Sequence, residues 1–254
     1  MKKIKEECNF SFEHYEQILK LAKKLGFKFC FFSELPNKKN KKLYLRHDVD
    51  FSIEGALRLA KIENKNGVIS TFFVRFNSPF YNLFDINYLK MIKEIIKLGH
   101  QIGLHFDENC INHRKVTKIN IEKEVVHQIR IIKDYFDVKN IVSFHCPSNF
   151  IFDKRFDSAK FVNAYGHQFF SEIKYLSESK GQWREGCVCN FLKSSLPPKN
   201  LQILTHAEWW GMKGNNVNER LIYNLKEKVD YLDRAFVLDS KVYKSGSFYK
   251  FLNK

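Results

Sequence analysis

The chain has 254 residues, of which 44% are hydrophobic and 15% aromatic, and a formal net charge of +15. This length can bury one large core, and no apolar run reaches the ~18–20 residues of a bilayer span, so at most peripheral membrane contact is expected. The charged start, MKKIKEE, is unlike an export signal. The sequence therefore predicts one cytoplasmic domain over residues 1–254, of unknown oligomeric state.

The elements predicted from hydrophobic periodicity alternate between helices and strands, which is typical of an α/β fold. In the first half they are a helix at residues 11–25, a strand at 43–45, a helix after Ser52, a strand at 68–74, a helix at 86–98, a strand at 101–104, a helix at 121–136 and a strand at 141–144. The less regular second half contains predicted strands at 174–176 and 201–204 and a helix at 217–236.

The six cysteines are spread too widely to indicate a disulfide framework, so free thiols are expected. On a strand, Cys187 and Cys189 would share one face and could hold a soft metal, but packing thiols are the simpler interpretation. The basic charge favours an anionic partner. Nucleic-acid binding nevertheless ranks last among the hypotheses, because no motif for it is present.

Titratable side chains follow the apolar strands, and parallel strands of an α/β sheet all end at the same edge. We therefore expect these side chains to converge: Asp48, Asp50, Arg75, His105, Asp107, His145 and His206. Asp48 and Asp50 point the same way on an extended chain, and a cation would relieve their repulsion. A carboxylate combined with imidazoles is a ligand set suited to Zn²⁺, Fe²⁺ or Co²⁺.

Five segments in order resemble the motifs of the polysaccharide deacetylases, the NodB-like superfamily of carbohydrate esterase family 4. They are residues 46–50 (RHDVD), 99–107 (GHQIGLHFD), 143–148 (SFHCPS), 175–179 (YLSES) with Trp183 and Arg184, and 204–210 (LTHAEWW). They lie within a core of about residues 43–210. The bacterial subgroup they most resemble is the WbmS-like one, associated with surface-polysaccharide gene clusters.

This resemblance implies a distorted, incomplete (β/α) barrel that removes an N- or O-acetyl group from a sugar. It implies that Asp48 is the general base, that Asp50 and His105 are metal ligands, and that His206 is the general acid. Glu208 or another nearby carboxylate could hold the imidazole of His206 in its cationic form. One divalent metal ion is expected, most simply zinc, with iron, cobalt or nickel as alternatives.

The third metal ligand is left open by the resemblance. Typical members carry a second histidine four residues after the first, but this chain has Asn109 at that position. The candidates are His145, Asp107 and His113, of which His145 is preferred because it ends its own strand. Without a third ligand, the chain would be a degenerate carbohydrate-binding homologue.

The expected substrate is an acetylated sugar, since flat aromatic side chains pack on sugar rings. Trp183 and Trp209 are the candidate sugar-binding aromatics, together with Trp210. Arg75 and Arg184 could bind a phosphate or carboxylate on the substrate. These arginines and the basic charge favour a nucleotide-linked or lipid-linked sugar over a finished extracellular polymer.

Overall fold

The computed structural model describes residues 8–37, 39–111, 117–152, 156–211 and 216–252. Backbone contacts divide the chain into two compact units, Met1–Gly211 and Met212–Lys254. The single domain expected over the whole chain therefore stays a prediction. None of the helices in the described part combines the length and the apolar character that a bilayer crossing requires.

The first unit is built on one sheet of eight strands, in which every pairing is parallel. The strands are β1 (Lys28–Phe29), β2 (Lys42–Val49), β3 (Thr71–Arg75), β4 (Gln101–Asp107), β5 (Ile141–His145), β6 (Val162–Asn163), β7 (Lys174–Ser177) and β8 (Asn200–Thr205). Their order is β6-β5-β4-β3-β2-β8-β7, with β1 beside the start of β2. The predicted α/β fold with an incomplete barrel is confirmed, since the sheet forms an open half-barrel.

The helices of the first unit mostly connect consecutive strands, as parallel pairing requires. They are α1 (Phe12–Lys24), α2 (Ile53–Lys65), α3 (Ile86–Lys97), α4 (Lys118–Lys133) and the short α5 (Asn149–Phe152), α6 (His167–Phe170) and α7 (Val188–Leu192). Ser11 caps α1 by accepting from the amide of His14, and Ser52 caps α2 by accepting from Gly55. The predicted starts of both helices are thus confirmed.

The expectation that Cys187 and Cys189 lie on a strand is wrong. Gly186 adopts a φ of 90°, which turns the chain, and Cys187 then becomes the N-cap residue of α7. The short segment VCNFL forms one helical turn with three buried side chains, Val188, Cys189 and Leu192. The strand considered for Cys187 and Cys189 is therefore replaced by a helical turn with buried side chains.

A buried polar network fixes α2 to the outer face of the sheet. The carboxylate of Glu63 lies 2.7 Å from His47 Nε2 and accepts a hydrogen bond from Ser70 Oγ. Tyr15 of α1 also donates to Glu63. Since a buried carboxylate must be paired, this network fixes the positions of α1 and α2 under β2.

The concave face of the half-barrel is filled mainly by aromatic side chains. Phe32, Tyr44, Phe73 and Phe169 are buried together, and the ring of Phe32 meets the other three at centroid distances of 4.9–5.9 Å. This core closes the amino-terminal half of the concave face. On the same face, the buried polar side chain of Gln202 lies level with Tyr44, and Arg46 and Asp48 follow toward the carboxyl end of β2.

The second unit contains α8 (Val217–Asp239), capped by Asn216, and α9 (Ser247–Leu252). Asp233 on α8 accepts hydrogen bonds from Tyr243, Ser245 and the amide of Gly246. These bonds fix the turn between the two helices. The helix predicted at residues 217–236 is confirmed and extends three residues further.

Candidate metal centre and catalytic site

The parallel register brings the predicted polar residues to one edge of the sheet. Arg75 pairs with His105 across β3 and β4, and Asp107 pairs with His145 across β4 and β5. Successive side chains on a strand alternate between faces, so residues two apart share a face. Asp48 and Asp50 therefore point toward the same side of the sheet edge.

Three of the predicted ligands converge on one point, and we call Asp50, His105 and His145 the edge centre. Asp50 Oδ1 lies 3.2 Å from His105 Nε2 and 2.9 Å from His145 Nδ1. The two imidazole nitrogens are 3.3 Å apart. All three donor atoms lie within 4.8 Å of one another, a spacing that allows them to bind one metal ion.

The hydroxyl of Ser143 determines which nitrogen of His105 faces the other ligands. Ser143 Oγ donates to Asp48 Oδ1 at 3.0 Å and lies 2.5 Å from His105 Nδ1. Because its own proton goes to the Asp48 carboxylate, Ser143 accepts from Nδ1–H of His105. This contact favours the tautomer with its proton on Nδ1, in which the lone pair of Nε2 faces Asp50, as a metal ligand requires.

The polar atoms of the edge centre fit a bound cation. Asp50 Oδ1 is buried and, among the described residues, has no hydrogen-bond partner of acceptable geometry despite its two imidazole neighbours. Burial alone would raise the pKa of Asp50, but the imidazoles of His105 and His145 hold it well below its ordinary value. One carboxylate and two imidazoles that share a focal point form a three-ligand set with open positions, which suits zinc.

The neighbouring Asp48 carboxylate is held by an arginine two residues before it. Arg46 donates from Nε to Asp48 Oδ1 at 2.9 Å and from Nη2 to Oδ2 at 2.6 Å. Burial would raise the pKa of Asp48, but the guanidinium of Arg46 and the imidazole of His105 outweigh it and lower this pKa. Asp48 is therefore ionised and oriented at neutral pH.

Arg46 is itself completely buried inside the half-barrel, which makes it a rigid support. Its guanidinium packs 4.3 Å from the ring centroid of Tyr165, and its Nη1 donates to Gln202 at 3.3 Å. Burial would lower the pKa of Arg46, yet the charge of Asp48 raises it. Arg46 therefore stays cationic and Asp48 anionic, and their two hydrogen bonds restrict rotation of both side chains.

On the other side of β2, His206 follows β8 and is held by Glu178, which follows β7. Glu178 accepts from the backbone amide of His206, and its Oε2 lies 2.9 Å from His206 Nδ1. Burial would lower the pKa of His206, but the charge and hydrogen bond of Glu178 raise it to about 10. The imidazole is therefore cationic at neutral pH and can donate a proton from Nε2.

Glu178 is thus the nearby carboxylate that contacts His206. Glu208, which the sequence also offered for this role, is buried beside it, and burial raises its pKa well above the ordinary value. The charge of Glu208 also contributes to the raised pKa of His206, after the charge and hydrogen bond of Glu178.

The other candidates for the third ligand lie elsewhere. Asp107 accepts from Arg75 Nη2 at 2.7 Å and from the amide of Asn109, so its carboxylate is committed to neighbouring groups. His113 lies outside the described residues. Among the described residues, His145 is therefore the histidine that joins Asp50 and His105.

The predicted substrate-binding residues occupy different environments. Arg75 reaches the edge of the sheet but is paired with Asp107, and Arg184 is exposed to solvent. Trp209 is buried in the turn after His206, and Trp183 lines a small apolar cavity beside α1. Their contact with a sugar stays a prediction. Trp210 packs against Tyr15 at a centroid distance of 4.8 Å and belongs to the core.

Three residues of the site lie within the sequence motifs but had no predicted role: Arg46, Ser143 and Glu178. Arg46 lies two residues before Asp48, and Ser143 lies two before His145, so each shares a face with a predicted functional residue. Glu178 directly follows β7, the same strand-end position that identified the other residues. Spacing along the strands was the signal for all three.

No family model matches the chain, and no curated protein matches it. Among solved structures, it is similar to the catalytic domain of a peptidoglycan N-acetylglucosamine deacetylase from Eubacterium rectale, with 18% identity over 76% of this chain and 88% of that one and a TM-score of 0.45. It is also similar to a chitin deacetylase from Colletotrichum lindemuthianum, with 16% identity, 77% and 85% coverage and a TM-score of 0.43. A carbohydrate esterase family 4 pseudoenzyme from Bacillus anthracis has 14% identity, 77% and 63% coverage and a TM-score of 0.43. The activity of this chain must therefore be inferred from its own residues.

Proposed function

We propose that this protein is a metal-dependent hydrolase that removes an acetyl or other small acyl group from a sugar, as a divergent polysaccharide deacetylase. The observation that carries this proposal is the convergence of a three-ligand centre with an oriented carboxylate, Asp48, and a cationic imidazole, His206. Hydrolysis of an amide or ester is accelerated by a general base, a general acid and a metal ion that polarises the carbonyl group. The site offers Asp48, His206 and the three-ligand centre for these roles.

In this proposal Asp50, His105 and His145 hold one divalent ion, for which zinc fits the donor set best. When bound, such an ion would polarise the acyl carbonyl and lower the pKa of a nearby water to about 7. Ser143 keeps His105 in the ligand tautomer, and through the same hydroxyl it joins His105 to Asp48.

Asp48 acts as the general base and accepts a proton from the attacking water. Because the guanidinium of Arg46 lowers the pKa of Asp48, this carboxylate is a weak base that works only on an acidified water. Arg46 in return holds Asp48 at a fixed angle by two hydrogen bonds. Weak basicity is thus combined with fixed orientation.

His206 acts as the general acid and gives its Nε2 proton to the departing amine nitrogen or alcohol oxygen. Glu178 keeps His206 protonated until the substrate bond breaks. The base Asp48 lies on β2, and the acid His206 directly follows β8, the strand that pairs with β2. A substrate carbonyl placed between them would meet both groups during one turnover.

The proposed substrate is an acetylated sugar on an anionic carrier, used in surface-polysaccharide biosynthesis in the cytoplasm, as in the WbmS-like subgroup. The net charge of +15 and the exposed Arg184 support a phosphorylated carrier, either nucleotide or lipid. Contact between Trp209 and the sugar ring stays a prediction, because the indole is buried in the turn after His206.

The proposal is tested by incubating zinc-loaded protein with acetylated sugar nucleotides, lipid-linked acetylated sugars, chitin oligosaccharides and peptidoglycan, and measuring acetate. We expect release from the nucleotide- or lipid-linked sugars and its loss in Asp48→Asn. Release undiminished in Asp48→Asn would remove the proposed base. A protein that binds no stoichiometric metal at the edge centre and releases no acyl group from any substrate would favour the alternative, a degenerate carbohydrate-binding homologue that has lost a competent metal site.

A further inference from the structure

A second group of metal-binding side chains lies outside the edge centre. Cys8 precedes α1, His14 lies in its first turn, and Cys187 and Cys189 begin α7. We call these four residues the thiol cluster. The proposed hydrolysis assigns no role to any of them.

The donor atoms of Cys8, His14 and Cys187 meet at one point, and the sulfur of Cys189 lies beside His14. The ligand atoms of Cys8, His14 and Cys187 all lie within 4.8 Å of one another. His14 Nε2 is 3.2 Å from Cys187 Sγ and 4.0 Å from Cys189 Sγ. In a tetrahedral zinc site, bonds of ~2.3 Å to sulfur and ~2.0 Å to nitrogen place such atoms about 3.6 Å apart, between these two distances.

The surroundings of the cluster also suit a permanently bound ion. His14, Cys187 and Cys189 are buried, and the His14 ring stacks on Trp210 at 6.5 Å, which directs Nε2 toward the sulfurs. None of the six cysteines forms a disulfide. Cys8 is half-buried and provides a route by which an ion can enter.

We propose that the thiol cluster is a structural metal site in which Cys8, His14, Cys187 and Cys189 bind one zinc ion. Three sulfurs and one imidazole form a closed four-ligand set, which is typical of structural rather than catalytic zinc. The ion would join the start of the chain to α7, two segments more than 170 residues apart. Its role is to hold α1 and α7 together beside the sheet.

The test uses the full chain, purified without chelators under reducing conditions, with metal content measured by elemental analysis. We expect about two zinc ions per chain in the wild type and about one in Asp50→Ala, where the remaining ion belongs to the thiol cluster. Cys187→Ser and Cys8→Ser should each lose that ion and keep the one at the edge centre. Cys30→Ser, at a buried cysteine outside both clusters, is the matched control and should keep both.

A spectroscopic measurement keeps the test independent of whether cysteine variants fold. Cobalt added to metal-free Asp50→Ala should give the intense near-ultraviolet absorption of sulfur-to-cobalt charge transfer, together with the visible bands of a tetrahedral ion. To exclude the exposed Cys146 beside the edge centre, the same spectrum is recorded for Asp50→Ala with Cys146→Ser and should be unchanged.

Two results would overturn the proposal. One is an Asp50→Ala protein that folds, retains no stoichiometric metal and shows no cobalt-thiolate absorption. The other is a disulfide among Cys8, Cys187 and Cys189, found by mass spectrometry of protein kept reduced throughout. Neither result bears on the proposed hydrolysis, because the edge centre contains none of the four residues of the thiol cluster.

Discussion

The edge centre and the thiol cluster show two ways in which one fold gathers metal-binding side chains. The edge centre combines a carboxylate with two imidazoles at the carboxyl ends of β2, β4 and β5, and the side chain of His145 keeps 23% of its surface exposed. The thiol cluster combines sulfurs with one imidazole from helix ends, and its described residues include no carboxylate. The first arrangement offers three donors and lies beside Asp48, whereas the second offers three sulfurs and an imidazole, a full tetrahedral set.

The comparison teaches that the groups beside the ligands, as well as the ligands themselves, distinguish the proposed catalytic centre from the proposed structural one. Asp48 and His206 accompany the edge centre and give it a proton acceptor and a proton donor. The thiol cluster is surrounded mainly by aromatic packing, such as Trp210 on His14. Each of the following predictions separates metal binding from proton transfer.

The largest effect is expected from Asp50→Ala. Loss of one of three ligands removes the ion from the edge centre and with it several kcal/mol of transition-state stabilisation, so kcat/KM should fall by about 10³-fold or more. Acetate release and zinc content are measured together. Asp107→Asn is the matched control, because Asp107 pairs with Arg75; if that variant also lost its metal, the proposed ligand set would be wrong.

Asp48→Asn should reduce kcat by about 10²–10³-fold, since it removes the general base. In contrast to Asp50→Ala, this variant should keep its zinc content, because Asp48 donates no ligand atom in the proposal. The exposed Asp137, replaced by Asn, is the control. Loss of zinc in Asp48→Asn would mean that the two aspartates do not have separate roles.

Ser143→Ala should weaken zinc binding at the edge centre by about 10–100-fold, as expected when the partner of a ligating histidine is removed. The hydroxyl no longer fixes the tautomer of His105, so more added zinc is needed for full activity. Competition with a chromogenic chelator measures the affinity. Ser171→Ala, at a buried hydroxyl outside the site, should bind zinc as the wild type does.

Glu178→Gln should have the smallest effect at neutral pH and a larger one in alkali. Removing the carboxylate lets the pKa of His206 fall from about 10 toward the ordinary 6.5, so the alkaline limb of the kcat/KM profile moves to lower pH. At pH 8 we expect roughly tenfold lower activity. Glu172→Gln, at an exposed pair with His167, should leave the profile unchanged.

The same substitution makes a prediction for stability. Because the folded pKa of His206 is raised, the stabilisation from Glu178 is fully present below pH 6.5 and is lost as the pH rises toward about 10. The difference in free energy of unfolding between wild type and Glu178→Gln should therefore shrink across that range. Urea unfolding at several pH values measures it, and a constant difference would show that the imidazolium is not the group held by Glu178.

The sheet could be predicted from the hydrophobic periodicity of the sequence, and its functional edge from the position of polar residues at the ends of the predicted strands. Parallel strands share one carboxyl edge, so residues such as His105 and His145 were placed together from strand ends alone. The partners of those residues could not be chosen in the same way. Whether Glu178 or Glu208 contacts His206 depends on how two turns project their side chains, which no local pattern records.

The thiol cluster was foreseen only in part, because the sequence suggested Cys187 and Cys189 as a possible soft-metal pair but gave no sign of Cys8 and His14. His14 looks like an ordinary member of an amphipathic helix, and Cys187 and Cys189 looked like strand residues. Their meeting depends on how α1 and α7 pack against the same part of the sheet. Contacts between segments so distant in the chain leave no periodic trace in the sequence.

The strand order of the sheet also determines when a newly made chain acquires each part of the site. The proposed ligands and base come from β2, β4 and β5. The partner strand β8 follows β2 in the chain by more than 150 residues. Contacts of such long sequence separation form late in folding. A nascent chain that has been made as far as β5 therefore contains Asp50, His105 and His145 but still lacks His206, which directly follows β8.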